Sequence, residues 1–279
     1  MVYTKSTSWL RPYTVHAGFQ GDTLIVNGAV QPYLQVVGRK YRFRLLNASN
    51  ASDYALQLQR PENGSIVPFT QIGIDGGLLP APVVRTSLPI SPGERADIVV
   101  DFSQVAVGSS LELLNLGAIQ PSLLQVMRFD VMDGSPDDST IPQVLRVIEP
   151  LSFRQSAQSR NITLGVDPQN LVWVMNGKPF DPSRIDFRTA LGSVEDWTWI
   201  NHSGMIHPMH LHNVQVQVLS RNGAAPPAWE AGWRDTVPVN AGERVRIITR
   251  FVDNTGVFVF HCHKLEHEDH DMMGQYEVA

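Results

Sequence analysis

The chain has 279 residues, enough for one large domain or two domains of ordinary size. Its formal net charge of −5 disfavours a nucleic-acid partner, and no apolar run approaches the ~18 residues that a membrane-spanning helix needs. A single cysteine, Cys262, excludes any disulfide within the chain. Residues 1–16 lack the apolar core of a signal peptide, so we expect any export signal to be missing from this chain.

Short runs rich in Val, Ile, Leu and Thr follow one another along the chain, separated by many of its 21 glycines and 19 prolines. Runs such as YRFRLLNAS (41–49), ADIVVDF (96–102) and VRIITRF (245–251) alternate apolar with polar residues. Asn-Gly, Pro-Gly and Ala-Gly turns lie between such runs. This pattern predicts an all-β protein built from Greek-key β-sandwiches.

The sequence repeats itself at an offset of 149 residues. LIVNGAVQP (24–32) recurs as VWVMNGKPF (172–180), with Asn27–Gly28 matched to Asn176–Gly177 at that offset, and LPISPGERADIVVDF (88–102) recurs as VPVNAGERVRIITRF (237–251). Because two separate phrases share one offset, we interpret the chain as a duplicated domain.

A third match, LLNAS (45–49) to WINHS (199–203), has an offset of 154, which implies a local insertion of five residues. We predict one domain at 1–135, a linker at 136–155 and a second domain at 156–279. The linker prediction rests on a polar, proline-rich composition with little periodicity.

The two copies differ in their metal-binding residue types. At offset 154, the first copy has Asp53, Leu56 and Leu58 where the second has His207, His210 and His212. At offset 149, Glu112, Leu113 and Leu114 match His261, Cys262 and His263. We therefore expect the first domain to be scaffold and the second to carry a site.

Strand geometry sorts these residues into two faces. Side chains two residues apart on a strand share a face, so His210 and His212 project together. For the same reason His261 and His263 point to one side and Cys262 points to the other. One strand would thus serve an imidazole site on one face and a thiolate site on the opposite face.

Three further residues complete the thiolate site. His207 precedes Pro208, where the chain is extended or turning, so it can face away from the other histidines of its segment. His267 and Met272 follow Cys262 on a loop that can fold back to the cysteine face. Two imidazoles, a thiolate and a weak thioether are the ligands of a blue-copper centre, and zinc is less favoured because there is no second cysteine.

The remaining histidines have a simpler interpretation. We expect His16 and His202 to be surface or packing residues and His270 to lie on a solvated acidic loop. Met273 is a neighbour of the thioether candidate. A histidine-rich loop without ligands is the alternative for the whole region, but the six other histidines, which lie in two tight clusters, favour metal binding.

Two motifs of the sequence resemble those of a known family. HPMHLH (207–212) and HCHKLEHEDHDMM (261–273) resemble the paired C-terminal copper motifs of the multicopper oxidases, the laccase-like enzymes. GDTLIVNG (21–28) and SPGERADIVVDF (91–102) resemble the middle domain of that family, and 156–279 resembles its last domain. The resemblance implies two tandem cupredoxin-like domains with the family's first domain absent.

The resemblance also implies copper as cofactor and a role for each ligand. His207, Cys262, His267 and Met272 would hold the type 1 copper, His210 the type 2 copper, and His212, His261 and His263 the type 3 pair of a trinuclear cluster. The family takes electrons from a reducing substrate, phenolic, aromatic or a metal ion, at the type 1 copper and reduces dioxygen to water. Of these ligands, Cys262, His207 and His267 would be the catalytic residues, because electrons from the substrate enter at the copper that they hold.

A complete cluster takes more histidines from two His-X-His motifs in the first domain. This sequence has such pairs only at 210/212 and 261/263. We therefore expect a partner, a first cupredoxin domain in the same precursor or in another chain. Family resemblance suggests a periplasmic, secreted or spore-coat location. Trp229 and Trp233 could wall the substrate entrance, and packing of a long connection is the alternative role for both.

Two other functions compete with the oxidase. A type 1 copper electron carrier, or a copper-binding protein without oxidase activity, would need no second set of imidazoles. A two-domain nitrite reductase would not need imidazoles on both sides of the cysteine. The presence of His210, His212, His261 and His263 favours the oxidase.

Overall fold

The computed structural model describes residues 17–135 and 137–279, so His16 lies outside the described residues. The chain forms two compact units. The first comprises residues 20–73 and 78–146, Pro136 apart, and the second comprises 17–19, 74–77 and 147–279. In the described part of the chain, no helix is both long enough and apolar enough to cross a membrane.

The first unit contains two sheets and a small hairpin. Its strands are β1 (Ile25–Val26), β2 (Ala29–Val30), β3 (Tyr33–Val37), β4 (Lys40–Leu46), β5 (Tyr54–Gln59), β6 (Phe69–Ile74), β7 (Gly77–Arg85), β8 (Leu88–Ile90), β9 (Arg95–Asp101), β10 (Ser110–Asn115) and β11 (Gln125–Met132). One sheet has the order β3-β11-β10-β5-β8 and the other β4-β9-β6-β7, while β1 pairs with β2. A 3-10 turn at Pro121–Leu123 precedes β11. Alternate side chains of β9, Ala96, Ile98 and Val100, are buried, which is the period of a strand with one face on the core.

The second unit has two five-stranded sheets. Its elements are β12 (Gln158–Val166), β13 (Trp173–Met175), β14 (Phe187–Thr189), β15 (Val194–Asn201), β16 (His207–Leu211), β17 (Val216–Arg221), β18 (Thr236–Val239), β19 (Arg244–Arg250), β20 (Gly256–Cys262), the one-turn helix α1 (Leu265–Glu268) and β21 (Met273–Val278). The sheet orders are β13-β12-β15-β19-β17 and β14-β21-β20-β16-β18. Two 3-10 turns, Phe153–Gln155 and Ala228–Glu230, lie in the connections.

The prediction of an all-β fold is confirmed, since nearly all regular structure is strand. Strands far apart in the sequence run parallel in each unit, β3 beside β11 and β12 beside β15. Such pairs require crossover connections, as in a Greek key, and exclude a simple meander. Both units are cupredoxin-like β-sandwiches.

Matching phrases of the repeat have matching local structure. Asn27 and Gly28 both have positive φ, 50° and 87°, and so do Asn176 and Gly177, at 53° and 70°. Positive φ at both central residues defines the type I′ hairpin turn for which Asn-Gly is the preferred pair. The same dipeptide therefore makes the same turn in both copies.

Strand pairing corrects the alignment of the first histidine motif. His207 lies opposite Val239 in the β16–β18 pair, and Tyr54 lies opposite Ile90 in the β5–β8 pair. Val239 and Ile90 are repeat partners at offset 149, so Tyr54 matches His207. The expected match to Asp53 was wrong by one residue, because a gapless comparison cannot detect a difference in turn length.

The expected alignment of the cysteine segment was wrong by two residues. The Cys262 amide donates to the Met272 carbonyl at 3.1 Å, and the Asn115 amide donates to the Leu124 carbonyl at 2.7 Å. Asn115 rather than Leu113 therefore matches Cys262. The corrected partners of His207, His210, His212, His261, Cys262 and His263 are Tyr54, Gln57, Gln59, Leu114, Asn115 and Leu116. The first copy still offers neither imidazole nor thiolate at these places.

Candidate metal centre

Two adjacent strands carry most of the candidate ligands. In the β16–β20 pair, Met209 lies opposite Cys262 and His210 lies opposite His261. Residues directly opposite each other share a face of the sheet. The pairing therefore separates Cys262, on the core side, from His210 and His261 on the other side.

His207, Cys262 and His267 form a buried cluster, each with 0% of its surface exposed. The two Nδ1 atoms are 3.2 Å apart, and each lies 3.6 Å from the Cys262 Sγ. Metal bonds of about 2.0 Å to nitrogen and 2.3 Å to sulfur give donor separations of this size. The donor set thus fits one metal ion, and its composition fits the trigonal His₂Cys site of copper.

Ser203 fixes the orientation of one imidazole. Its Oγ lies 2.9 Å from the Asn201 Oδ1, which can only accept, and 2.7 Å from the His207 Nε2. The hydroxyl proton therefore points to Asn201, and the Nε2 proton of His207 is donated to Ser203. That tautomer leaves the Nδ1 lone pair facing Cys262, as a ligand requires.

Burial also favours the neutral ligand form of His207. Desolvation lowers its pKa well below the usual value, and the nearby His267 and Lys264 add to the effect. Since a metal binds only the deprotonated ring nitrogen, protons compete weakly at this position.

The helix α1 turns the chain so that Met272 returns to the cysteine. The Met272 amide donates to the His267 carbonyl at 2.9 Å, and its side chain is fully buried in the core cluster that contains Cys262. Met273 lies opposite His261 in the β20–β21 pair and is half-buried. Of the two methionines, Met272 is the one on the cysteine face.

A second cluster lies on the other face. The ligand nitrogens of His210, His212 and His261 all lie within 4.8 Å of one another, and the Nε2 atoms of His212 and His261 are 3.2 Å apart. The Nδ1 of His210 lies 2.8 Å from the Asp235 carbonyl, and that of His261 lies 2.9 Å from the Cys262 carbonyl. Carbonyls only accept, so both Nδ1 atoms carry protons and both Nε2 lone pairs are available.

His263 lies at the edge of this second cluster. Its ring centroid is 5.7 Å from that of His210 and 5.9 Å from that of His261. An open cleft of about 300 Å³ borders the cluster, lined among others by His212 and Asp253. The imidazoles therefore face a space that solvent or another polypeptide can enter.

The imidazoles of the second cluster also favour their neutral form. Burial, opposed by the Cys262 carbonyl and helped by neighbouring histidines, lowers the pKa of His261 to about 4. Desolvation is the leading cause of the lowered pKa of His210 and of His212. These rings stay available to a metal at mildly acidic pH.

Trp173 belongs to the site, although the sequence did not single it out. Its ring centroid lies 4.4 Å from that of His267 and 4.8 Å from that of His207, and the residue is 2% exposed. The signal that could have found it is the repeat, which has Leu24 at the matching place. Ser203 gave no such signal, because the first copy also has a serine there, Ser49.

The other predicted residues lie elsewhere. His202 is exposed, as expected. His270 differs from expectation: it is half-buried, and its Nδ1 donates to the Glu266 carbonyl at 2.7 Å. Trp233 packs on the small core cluster of Leu151, Val194 and Ile248, in agreement with the packing role, and Trp229 is half-buried in a 3-10 turn.

Comparisons with known proteins identify the family. Residues 149–279 match the family model described as multicopper oxidase. The chain is 41% identical to a laccase of Haloferax volcanii over 94% of this chain and 48% of that protein. It is 35% identical to a bilirubin oxidase of Albifimbria verrucaria, again over 94% of this chain and 48% of the other.

A solved structure agrees with these relatives. The multicopper oxidase McoA of the hyperthermophile Aquifex aeolicus superposes with a TM-score of 0.88 at 37% identity, over 94% of this chain and 60% of that one. The fold and site define a protein with a copper-type ligand set on cupredoxin-like sandwiches. The chain belongs to the multicopper oxidase family, which implies copper as cofactor. It spans about half the length of the curated relatives it matches.

Proposed function

We propose that this chain carries copper sites of a laccase-type oxidase. His207, Cys262 and His267, with Met272 as weak fourth ligand, hold a type 1 copper. His210 serves a type 2 copper, and His212, His261 and His263 serve the type 3 pair. Bound copper supplies one-electron redox chemistry that couples oxidation of a phenolic, aromatic or metal-ion substrate to reduction of dioxygen to water.

The observation that carries this proposal is the junction at Cys262. Its Sγ faces the two buried imidazoles, while its carbonyl accepts the Nδ1 proton of His261 at 2.9 Å. A single residue therefore links the two clusters through covalent bonds and one hydrogen bond. A pure electron carrier has no use for the second cluster.

The protein's own residues supply geometry and a dry environment. Ser203 and the carbonyls of Asp235 and Cys262 fix the imidazole tautomers, so each ring presents its lone pair before a metal arrives. Full burial of His207 and His267 excludes water from the type 1 ligands. We assign the entry of the reducing substrate to the edge near these two imidazoles, with Trp229 as the proposed wall residue, because Trp233 packs on the core cluster of Leu151, Val194 and Ile248.

The second cluster needs ligands that this sequence does not contain. We propose that a further cupredoxin domain with two His-X-His motifs, in the same precursor or in another chain, completes it. The domain limits proposed are 1–135 and 156–279 with a linker at 136–155. The boundary between the two compact units, between Arg146 and Val147, lies inside that linker.

Loading the chain with copper tests the type 1 assignment. We expect an intense blue thiolate-to-copper absorption band, which Cys262→Ser abolishes because a hydroxyl cannot replace the soft sulfur donor. His202→Ala, at an exposed histidine of the same unit, is the matched control and keeps the band. A colourless wild-type chain with bound Cu(II) would refute the assignment.

A further inference from the structure

We infer that Trp173 is a positioning residue of the copper site, a role that rests on the proposed type 1 assignment. Its indole holds the imidazoles of His207 and His267 in their ligand orientations and keeps water from the donor atoms.

The ring contacts support this role. The Trp173 indole meets His207 edge-on, at an interplanar angle of 76°, and lies tilted at 37° over His267. Rings of two ligands in contact with one rigid, 2% exposed side chain cannot turn independently. Locked side chains around the ligands are what keep a metal site in its productive geometry.

The backbone of Trp173 ties this contact to the ligand loop. The Trp173 amide donates to the His270 carbonyl at 3.2 Å, and His270 lies between His267 and Met272. On the other side Trp173 lies opposite Val166 in the β12–β13 pair. The indole is thus anchored both to the sheet and to the loop that carries two of the proposed ligands.

The duplicated domain shows that the fold does not require tryptophan here. The Asn-Gly turn places Leu24 of the first copy at the position of Trp173, and Leu24 is buried with 5% exposure. Trp199 provides a comparison, because pairing of β15 with β19 and of β4 with β9 matches it to Leu45. Among the ring contacts of the described residues, Trp199 has none with either candidate ligand.

Loss of the indole should act on the metal as well as on packing. Contacts outside the ligand set typically change metal affinity 10-fold to 100-fold, because they set ligand orientation. A gap beside the imidazoles also admits water, which stabilises Cu(II) more than Cu(I) because hydration favours the higher charge. The reduction potential should therefore fall.

The experiment compares the same substitution at two tryptophans. Trp173→Leu and Trp199→Leu each install the residue of the first copy in the same core cluster. Copper affinity by chelator competition, the absorption and paramagnetic resonance spectra, and the reduction potential are measured on the copper-loaded chain. We expect Trp173→Leu to weaken copper binding about 10-fold, alter the spectra and lower the potential. Trp199→Leu should lower only the Tm.

The outcomes separate the two proposals. A wild-type chain that binds Cu(II) without a blue band refutes the proposed function. A blue wild type in which Trp173→Leu and Trp199→Leu have the same affinity, spectra and potential overturns the role of Trp173. If a leucine variant does not fold, Trp173→Phe and Trp199→Phe replace the pair, and equal copper properties of those two overturn it likewise.

Discussion

At the scale of single residues, Ser49 and Ser203 perform one structural task in two places. The Ser203 amide and hydroxyl donate to the Asn201 Oδ1, and those of Ser49 donate to the Asn47 Oδ1. Only Ser203 also contacts a candidate ligand, at 2.7 Å from the His207 Nε2. The second copy therefore adds a metal-related contact to a turn that the fold already contains.

This pair gives a prediction with an internal control. Ser203→Ala and Ser49→Ala should each cost about 1 kcal/mol of unfolding free energy, since each removes comparable turn hydrogen bonds. Ser203→Ala alone should weaken copper binding about 10-fold, because His207 loses the acceptor of its Nε2 proton. Denaturation and chelator competition measure the two effects. Equal copper affinity in both variants would show that Ser203 serves the turn only.

The two methionines give a second prediction. Met272→Leu should leave the blue band and raise the reduction potential, because loss of a weak sulfur donor would disfavour Cu(II) more than Cu(I). Met273→Leu should change the potential much less, since Met273 lies opposite His261 on the other face. Electrochemical titration measures the reduction potential of both variants. A larger shift of the reduction potential in Met273→Leu would show that Met273, rather than Met272, is the thioether ligand.

The candidate ligands could be predicted from the sequence, but the residues that contact them, Trp173 and Ser203, could not be predicted from its local patterns. Strand alternation and the loop length after Cys262 depend on neighbours in sequence, so the two faces could be predicted. Trp173 and Ser203 meet His207 through contacts between separate segments, which no local period encodes. The repeat could have identified Trp173, whereas Ser203 is shared by both copies.

At the scale of elements, a buried charge network fixes the connection between β17 and β18. Glu230, 6% exposed, accepts from Arg221 Nε at 2.6 Å and from Arg234 Nη1 at 2.6 Å. Arg234 is 1% exposed and also pairs with Asp75 at 3.4 Å. Because buried charges are costly without partners, the network holds this proline-rich connection in one conformation.

Glu230→Gln should destabilise the chain by about 3 kcal/mol at neutral pH, because the buried guanidinium of Arg234 and the partly buried one of Arg221 both lose a charged partner. The control is Glu277→Gln, which removes the exposed Arg188–Glu277 pair and should cost at most about 1 kcal/mol. Chemical denaturation of the three proteins at pH 7 measures both values. Equal losses of unfolding free energy in the two variants would show that burial does not strengthen the Glu230 ion pairs.

The same network predicts an acid dependence. Burial alone would raise the pKa of Glu230, but Arg221 and Arg234 outweigh it and hold the pKa below its usual value. The folded state then stabilises the carboxylate, a contribution complete above the unfolded pKa and lost as pH falls through the lowered folded pKa. The stability difference between wild type and Glu230→Gln should therefore shrink below about pH 4.5. Denaturation curves at stepwise lower pH check this, and a constant difference would contradict it.

The element pattern itself was largely predictable. Alternating runs such as residues 96–102, punctuated by Asn-Gly and Pro-Gly turns, predict strands because period and turn chemistry are both local. Register between the copies was not predictable, since turn lengths differ by one or two residues around β16 and β20. Only cross-strand pairing shows that Tyr54, rather than Asp53, matches His207.

At the scale of the whole molecule, the two repeated sandwiches differ in what their cores contain. The first unit fills its core with apolar residues such as Phe43, Ile98 and Phe129. The second places Cys262, Met272 and Trp173 in the corresponding type of core. A fold that is stable with apolar residues alone can accept a metal site in one copy without new architecture.

The imidazole cluster on β16 and β20 gives a prediction about the proposed partner domain. His212 is exposed and His210, His261 and His263 are partly exposed beside the open cleft, so water can solvate these imidazoles and the chain can fold without further ligands. This chain alone should hold a type 1 copper and one or two loosely bound ions, with little oxygen-dependent oxidation of phenols. Activity should appear when a cupredoxin domain with two His-X-His motifs is supplied, because it brings the missing imidazoles. Metal analysis and oxygen uptake are measured on the chain before and after that addition. Laccase-level oxygen consumption by the chain alone, with a full complement of cluster copper and no second polypeptide on a denaturing gel, would show that the missing ligands come from within this sequence.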